Sequence, residues 1–382
     1  MKLAVCLYKY FAYGGLARDF RRILEIRRDA GDEIDVYYIE WHGEAIPGFR
    51  QIQIPVSGLT NHGKVRSFYK KSQPLIAAGN YDLVIGFNKM PGLDLYYAAD
   101  PCYLARVRQE PGYIIKQFSG RVRFYEAWER AVFGLQSHTV SMMISSVQRK
   151  LFEQYYHTPP ERLVDLPPGI DPDRVRPDDW QQQRQQFRQQ LSLEDDDFLL
   201  IMIGSGFKRK GADFAIEAMA GLPKALRDKT HLYVLGEDNA KPFEQLAQKH
   251  DVAEITHFVG GRDDVAKWLL AADVFLHPAR SENTGTVILE AMVAGLPSMV
   301  STACGYANYV QDSNGGECID HPADTALFSQ QLAKMLDKPR LQQLSQNALN
   351  YAATHDLYSM PQRAADLIAV LANKSASKSH KN

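Results

Sequence analysis

Glu282 and Glu290, separated by seven residues in Glu282-Asn283-Thr284-Gly285-Thr286-Val287-Ile288-Leu289-Glu290, carry the strongest chemical signal in this chain. A carboxylate accepts charge-assisted hydrogen bonds from neighbouring hydroxyls, so the pair suits sugar or ribose diols. Glutamates are more often solvated surface charges, but the apolar flanks, with Ala291, Gly295 and Pro297 behind them, weigh against that. A second signal is Gly204-Ser205-Gly206-Phe207-Lys208-Arg209-Lys210-Gly211. Small residues let the backbone approach a ligand, and cations can neutralise a diphosphate whose charge rises as it leaves. The same three cations could form a solvated basic turn. Gly14-Gly15 ahead of Arg18 and Asp19 fits either a backbone brought against phosphate or a plain turn. Asp100, before Pro101, reads as a carboxylate near a reacting centre or as a turn initiator.

These residues need a frame. Short apolar runs alternate with amphipathic stretches, the pattern of parallel βαβ units. Strands are expected over Leu3–Tyr8, Ile34–Ile39, Ile52–Val56, Leu83–Phe87 and Val140–Ile144, and again over Phe198–Ile203, His231–Leu235, Ile255–Val259, Val274–Leu276 and Ser298–Val300. The Pro- and Gly-rich stretch from Leu166, leading into a glutamine-rich short exposed helix at 181–190, interrupts the alternation. Two Rossmann-like domains follow, 1–168 and 169–356, with 357–382 as a C-terminal helix returning to the first and ending in a frayed polar tail from Lys374. Val274–Leu276 places Glu282 in the loop beyond a strand, and Gly285–Ala294 reads as a helix carrying Glu290. In open α/β sheets the carboxyl edge of the strands binds ligands, and a helix start at Gly285–Thr286 offers bare N–H groups to phosphate.

Composition narrows the class. A formal net charge of -1 over 382 residues excludes a globally basic nucleic-acid binder. No run of about eighteen apolar residues could cross a bilayer. Cys6, Cys102, Cys304 and Cys318 form no CxxC pair or metal cluster, which suits a reduced cytoplasm. Asp171-Pro172-Asp173 and Asp195–Asp197 satisfy an Asp-x-Asp pattern, but one lies in the proline-rich linker and the other in a turn before a strand, so no catalytic metal is expected.

The paired glutamates resemble the signature of the retaining glycosyltransferases of family 4, enzymes of GT-B fold in which two Rossmann-like domains face each other across a cleft. Within that family the chain is similar to the lipopolysaccharide core glucosyltransferases over nearly its whole length. The likeness runs through Leu7-Tyr8-Lys9-Tyr10-Phe11, Thr60-Asn61-His62-Gly63, Gly86 to Asp94, Pro167-Pro168-Gly169-Ile170 and Cys304-Gly305-Tyr306. The resemblance implies transfer of glucose from UDP-glucose, a co-substrate rather than a cofactor, to inner-core heptose, giving an α-linked product with retention. It implies that Glu282 contacts donor-sugar hydroxyls, Glu290 the ribose, and Arg209 and Lys210 the diphosphate. Gly14, Gly15, Asp19, Arg174, Arg262, Gly285 and Thr286 are further expected donor contacts. Asp100, Lys210 and Glu282 are the expected catalytic groups, and Lys208 matches no role. A sugar-nucleotide epimerase on the same fold is the alternative.

The stretch 103–130 interleaves Arg106, Arg108, Lys116, Arg121, Arg123 and Arg130 with Tyr103, Tyr113, Phe118, Phe124, Tyr125 and Trp128. Cations beside interfacial aromatics suit an anionic bilayer, though core aromatics with solvated arginines would read the same way. With a lipid-linked acceptor, a location peripheral to the inner face of the bacterial inner membrane is expected.

Overall fold

The computed structural model describes residues 1–11, 14–320 and 322–379. It divides into two compact units, Met1–Gly169 together with the chain from Ser359 onward, and Ile170–Tyr358. The chain passes between units at 169/170 and 358/359, beside the boundaries expected after 168 and 356. Of the stretch expected to be linker, Leu166–Gly169 belongs to the first unit, and the rest, including the glutamine helix, lies within the second.

In the first unit the strands are β1 (Lys2–Phe11), β2 (Glu33–His42), β3 (Phe49–Gln53), β4 (Leu83–Gly86), β5 (Leu95–Ala98), β6 (Val140–Met143) and β7 (Leu163–Asp165). They form one sheet in the order β3-β2-β1-β4-β5-β6-β7, with every pairing parallel. The second unit holds β8 (Phe198–Ile203), β9 (Thr230–Leu235), β10 (Thr256–Phe258), β11 (Val274–His277), β12 (Ser298–Ser301) and β13 (Gly316–Ile319). Its order, β10-β9-β8-β11-β12-β13, is also wholly parallel. Both sheets are buried on two faces, so their central strands read as continuous apolar runs. In β1, Leu3, Val5 and Leu7 feed one core and Ala4 and Cys6 the other; in β8, Leu199, Ile201 and Ile203 oppose Phe198, Leu200 and Met202. These are the doubly wound parallel units of the expected GT-B class.

Three strands were not visible as periodic runs: β5, β7 and β13 have four residues or fewer, and only their neighbours define them. The third strand lies at Phe49–Gln53 rather than Ile52–Val56, in register with β2 through Ile34 opposite Phe49. The glutamine helix spans Trp180–Gln190 and is not simply exposed, since Phe187 and Arg188 are buried. The last helix, Met360–Ser379, continues through the residues expected to fray up to Ser379; residues 380–382 lie outside the described ones. Its Met360, Ala364 and Ile368 join the core of Phe20, Ile23 and Leu24, residues of the amphipathic helix Gly15–Asp29. Close packing there accounts for part of the Pro-Pro-Gly motif: a Cβ on Gly169 would come within 2.7 Å of the Met360 side chain.

Candidate active site

In each sheet the strand order reverses direction at one seam, between β1 and β4 and between β8 and β11. The loops leaving the carboxyl ends of such neighbours diverge and open a crevice. The loop after β8 carries Gly204–Gly211 and the loop after β11 carries His277–Gly285. Their backbones are in contact, Arg280 N donating to Arg209 O at 2.9 Å. Gly211 makes this approach possible, because at φ +79° a Cβ there would lie 2.1 Å from the Pro278 carbonyl oxygen. Arg280 fastens the same junction. Its guanidinium grips both Asp213 oxygens at 2.7 Å and donates to Lys208 O at 2.6 Å. Lys208 itself points to Asp213, at 2.5 Å, consistent with its lack of a matched role.

This junction brings Arg209 and Lys210 onto one oxygen of Glu282. Glu282 Oε2 accepts from Arg209 Nη1 at 2.7 Å and from Lys210 Nζ at 3.0 Å, and His277 Nε2 stands 3.7 Å away. Lys210 is largely enclosed while Arg209 is half exposed. No protein partner for Oε1 is seen among the described residues. Burial by itself would raise the Glu282 carboxyl, but the Lys210 and Arg209 cations outweigh it and hold the group ionised far below the ordinary carboxylate range. His277 responds oppositely. It is fully buried, neither ring nitrogen has a hydrogen-bond partner, and burial pushes its imidazole down to about 4 despite the neighbouring carboxylate. At neutral pH the imidazole is therefore uncharged.

The Glu282 backbone is held from a third loop. It forms a parallel bridge with Cys304, Gly305 N donates to Glu282 O at 3.2 Å, and Tyr306 N donates to Thr284 O at 2.8 Å. The Cys304-Gly305-Tyr306 motif thus positions the loop that carries Glu282. Gly285, at φ +80°, precedes a helix that spans Thr286–Val293 rather than Gly285–Ala294. Glu290 is buried on that helix with Arg174 Nε 3.9 Å from its carboxylate. Arg262 lies on the loop after β10 and closes a two-pronged bridge to Asp264 at 2.9 and 2.7 Å, so it does not join Glu282 or Glu290.

In the first unit, Gly14 precedes the helix from Gly15, and a Cβ on Gly15 would meet nothing within 4 Å. Asp19 is turned inward, accepting from Tyr97 Oη at 2.8 Å with Arg18 Nε at 3.7 Å. Asp100 sits just beyond the carboxyl end of β5 and is half-buried, with Tyr96 Oη 3.5 Å away. Both Asp-x-Asp sequences are engaged by groups of the chain itself. Asp171 faces the Asp173 amide, Asp173 pairs with Arg174, and Asp197, beside the amino end of β8, accepts from the Glu194 amide at 2.8 Å with His231 Nε2 3.8 Å away. Sequence reasoning missed His277, Asp213 and Arg280 as parts of the site. Only the His-Pro break after a strand hinted at the first.

Residues 183–354 match the family model for glycosyl transferases group 1. The chain is 44% identical to the lipopolysaccharide glucosyltransferase WaaG of Escherichia coli (strain K12) across 96% of this chain and 98% of that protein. It belongs to this glycosyltransferase family. A crystal structure of WaaG superposes with a TM-score of 0.89 at 43% identity, covering 96% of this chain and 99% of that one. The Anabaena protein Alr3699/HepE, solved with UDP and glucose, shares the fold at a TM-score of 0.73 and 18% identity over 97% of this chain and all of its own. The protein is a glycosyltransferase, and none of these relatives supports the epimerase alternative.

Proposed function

We propose that the protein transfers glucose from UDP-glucose to the heptose region of a nascent lipopolysaccharide core, with retention. The observation that carries this reading is Glu282, whose one oxygen gathers Arg209 and Lys210 while the other is left to a ligand, at the strand-order reversal of the second unit. The relative's name supplies the sugar and the lipopolysaccharide, and the family resemblance the heptose. In this reading Lys210 and Arg209 stabilise the diphosphate as it departs. Glu282 orders both cations and takes donor-sugar hydroxyls, and Glu290 takes the ribose hydroxyls with Arg174 beside it. The acceptor hydroxyl attacks on the face the diphosphate leaves, and the departing phosphate oxygen takes its proton. Asp100 serves the acceptor side. The cations are the chain's own, and in this reading the reaction needs no divalent metal.

The test is a panel of nucleotide sugars incubated with lipopolysaccharide truncated at heptose. UDP-glucose should be the preferred donor and the product should be α-linked. Preference for another sugar, or turnover of UDP-glucose that ignores the acceptor, would overturn the assignment.

The enzyme is further read as resting on an anionic membrane surface through 103–130. Its composition needs one correction: Phe124 and Trp128 are buried and pack in the core with Tyr69. The apolar groups that face outward are Ile114, Ile115 and Phe118, on and just after the short helix Tyr113–Lys116. Arg106, Arg108, Lys116, Arg121 and Arg123 around them are exposed. Each cation near such a surface contributes roughly 1 kcal/mol. Among the described residues no helix is long and apolar enough to cross a membrane. Neutralising those five cations should abolish salt-sensitive binding to anionic vesicles with UDP affinity intact; full vesicle binding by the variant would remove the region from the interface.

A further inference from the structure

The glutamine-rich helix Trp180–Gln190 has no task in the transfer of a sugar. Seven of its eleven residues are glutamine, although Glu, Lys and Arg would form a surface helix about as well. Gln181, Gln185 and Gln189 lie on one face of it, at i, i+4 and i+8, and line a cavity of about 670 Å³. Gln342 and Gln346 of the helix Lys338–Thr354 line the same cavity. So do Asp197, Asp273 and Pro297, each one residue ahead of β8, β11 or β12. The cavity therefore opens at the amino edge of the second sheet. The length of β8, about 20 Å, separates it from the loops that carry Lys210 and Glu282.

Its charges are spent within the chain and its amides are not. Arg184 and Arg188 close the carboxyl end of the helix Val265–Ala271, where carbonyls lack helical partners. Arg184 donates to the Ala271 and Ala272 carbonyls at 2.6 and 2.7 Å, Arg188 to the Ala271 carbonyl at 3.2 Å, and both grip Asp273. Arg176 donates to the Ala294 and Gly295 carbonyls at 2.8 and 2.9 Å, and Lys338 to the Asp195 carbonyl at 3.0 Å. For the side chains of Gln181, Gln185, Gln189 and Gln342 no protein partner is seen among the described residues. An amide couples a donor to an acceptor, which matches neighbouring hydroxyls that both give and take hydrogen bonds. Leu269, Leu296 and Leu341 supply apolar lining, and Trp180 joins them, with Arg176 4.3 Å from its ring centroid. Apolar walls with a few polar groups in such a volume are the usual make-up of a small-molecule site. A peptide adding as a strand would need a sheet edge, and the edges here are β10 and β13.

We propose that this cavity is a second binding site, for a neutral saccharide, apart from the reaction centre. The glutamines take sugar hydroxyls, and the leucines and the indole take an apolar ring face. The ligand is neutral because the cations of the lining already answer to carbonyls and to Asp273. The inference holds whichever sugar the donor site transfers.

The experiment titrates maltoheptaose, a neutral glucose oligomer, into the intact protein with and without saturating UDP. It follows the indole N–H resonances of the four tryptophans, with that of Trp180 assigned through Trp180→Phe. The Trp180 signal should shift and saturate, equally in both conditions. Gln185→Ala and Gln342→Ala each replace an exposed side chain. Either should weaken binding about two- to tenfold, the worth of one amide hydrogen bond, and the double variant roughly five- to a hundredfold. UDP affinity measured by calorimetry should hold in these variants and reports their folding. Sodium phosphate should leave the Trp180 signal in place. A signal that the oligomer does not move, or moves as readily in the glutamine variants, would overturn the proposal. Dependence of the shift on an empty donor site would overturn it by placing the saccharide at the reaction centre. A response to phosphate and not to maltoheptaose would overturn it in favour of an anion site.

Discussion

Each unit holds a lysine–glutamate pair of similar enclosure, and the two do opposite work. In the first, Glu129 is fully buried and both oxygens are spent: Lys89, the Tyr103 and Leu104 amides at 2.8 and 3.0 Å, and Tyr156 Oη at 2.8 Å all donate to it. Lys89 also donates to Pro101 O at 2.7 Å, so the pair stitches the loop after Asp100 to the helices beyond. In the second, Glu282 concentrates its donors on one oxygen, and Lys210 has no other partner among the described residues. A saturated carboxylate is a structural joint; one with an oxygen to spare can still accept from a ligand. Burial and opposite charge alone do not separate them, since both carboxyls are held down by cations against the burial that would raise them.

Substitution should pull the two pairs apart. Breaking a buried ion pair from one side costs about 3–5 kcal/mol, so Glu129→Gln should show the largest stability loss, read by denaturant unfolding. Glu282→Gln should lose far less stability and most of the activity. Equal stability losses would erase the distinction. Lys210→Ala should lower kcat roughly a hundred- to a thousandfold with a smaller change in donor KM, because the diphosphate gains charge toward the transition state. A rise in KM with full kcat would make Lys210 a uniform binder. Glu290→Ala removes two charge-assisted bonds of about 1.5–3 kcal/mol each before coupling, and UDP affinity by calorimetry should fall at least tenfold. Affinity unchanged in the folded variant would detach Glu290 from the ribose.

A smaller effect belongs to His277. Its folded value of about 4 lies below the ordinary 6.5, so the unfolded chain binds the extra proton between those values. Its stability contribution is complete above about 6.5 and is lost as pH falls toward 4, by about 2 kcal/mol at pH 5. His277→Gln should therefore narrow the drop in apparent Tm between pH 7 and pH 5; an unaltered drop would place the acid sensitivity elsewhere. The smallest expected effect is none: treatment with EDTA should leave the transfer rate unchanged, and loss restored only by manganese or magnesium would reveal a metal.

Much of the architecture was legible in the residues themselves. Buried parallel strands need unbroken apolar runs, so ten of the strands announced themselves, and the runs of β8 and β11 by themselves put the Gly204–Gly211 loop and Glu282 at strand ends. The glutamate pair and the cationic glycine loop were separate signals, Lys210 lying 72 residues before Glu282, and nothing local states that Arg209 and Lys210 share one Glu282 oxygen. That meeting depends on a backbone contact at Gly211 and on the Arg280–Asp213 latch, both products of strand order. Strand order also decided β5, β7 and β13, whose short runs gain meaning only from the neighbours they pair with. The aromatics of 103–130 show the same limit: alternation with arginine reads alike for a core and an interface, and only packing assigned Phe124 and Trp128 to the core and Ile114, Ile115 and Phe118 to solvent. Local sequence determined which elements form, because propensity and patterning act over a few residues. Which charges are saturated and which are left for a ligand was decided by the tertiary structure, because it alone sets the distances on which hydrogen bonds and Coulomb interactions depend.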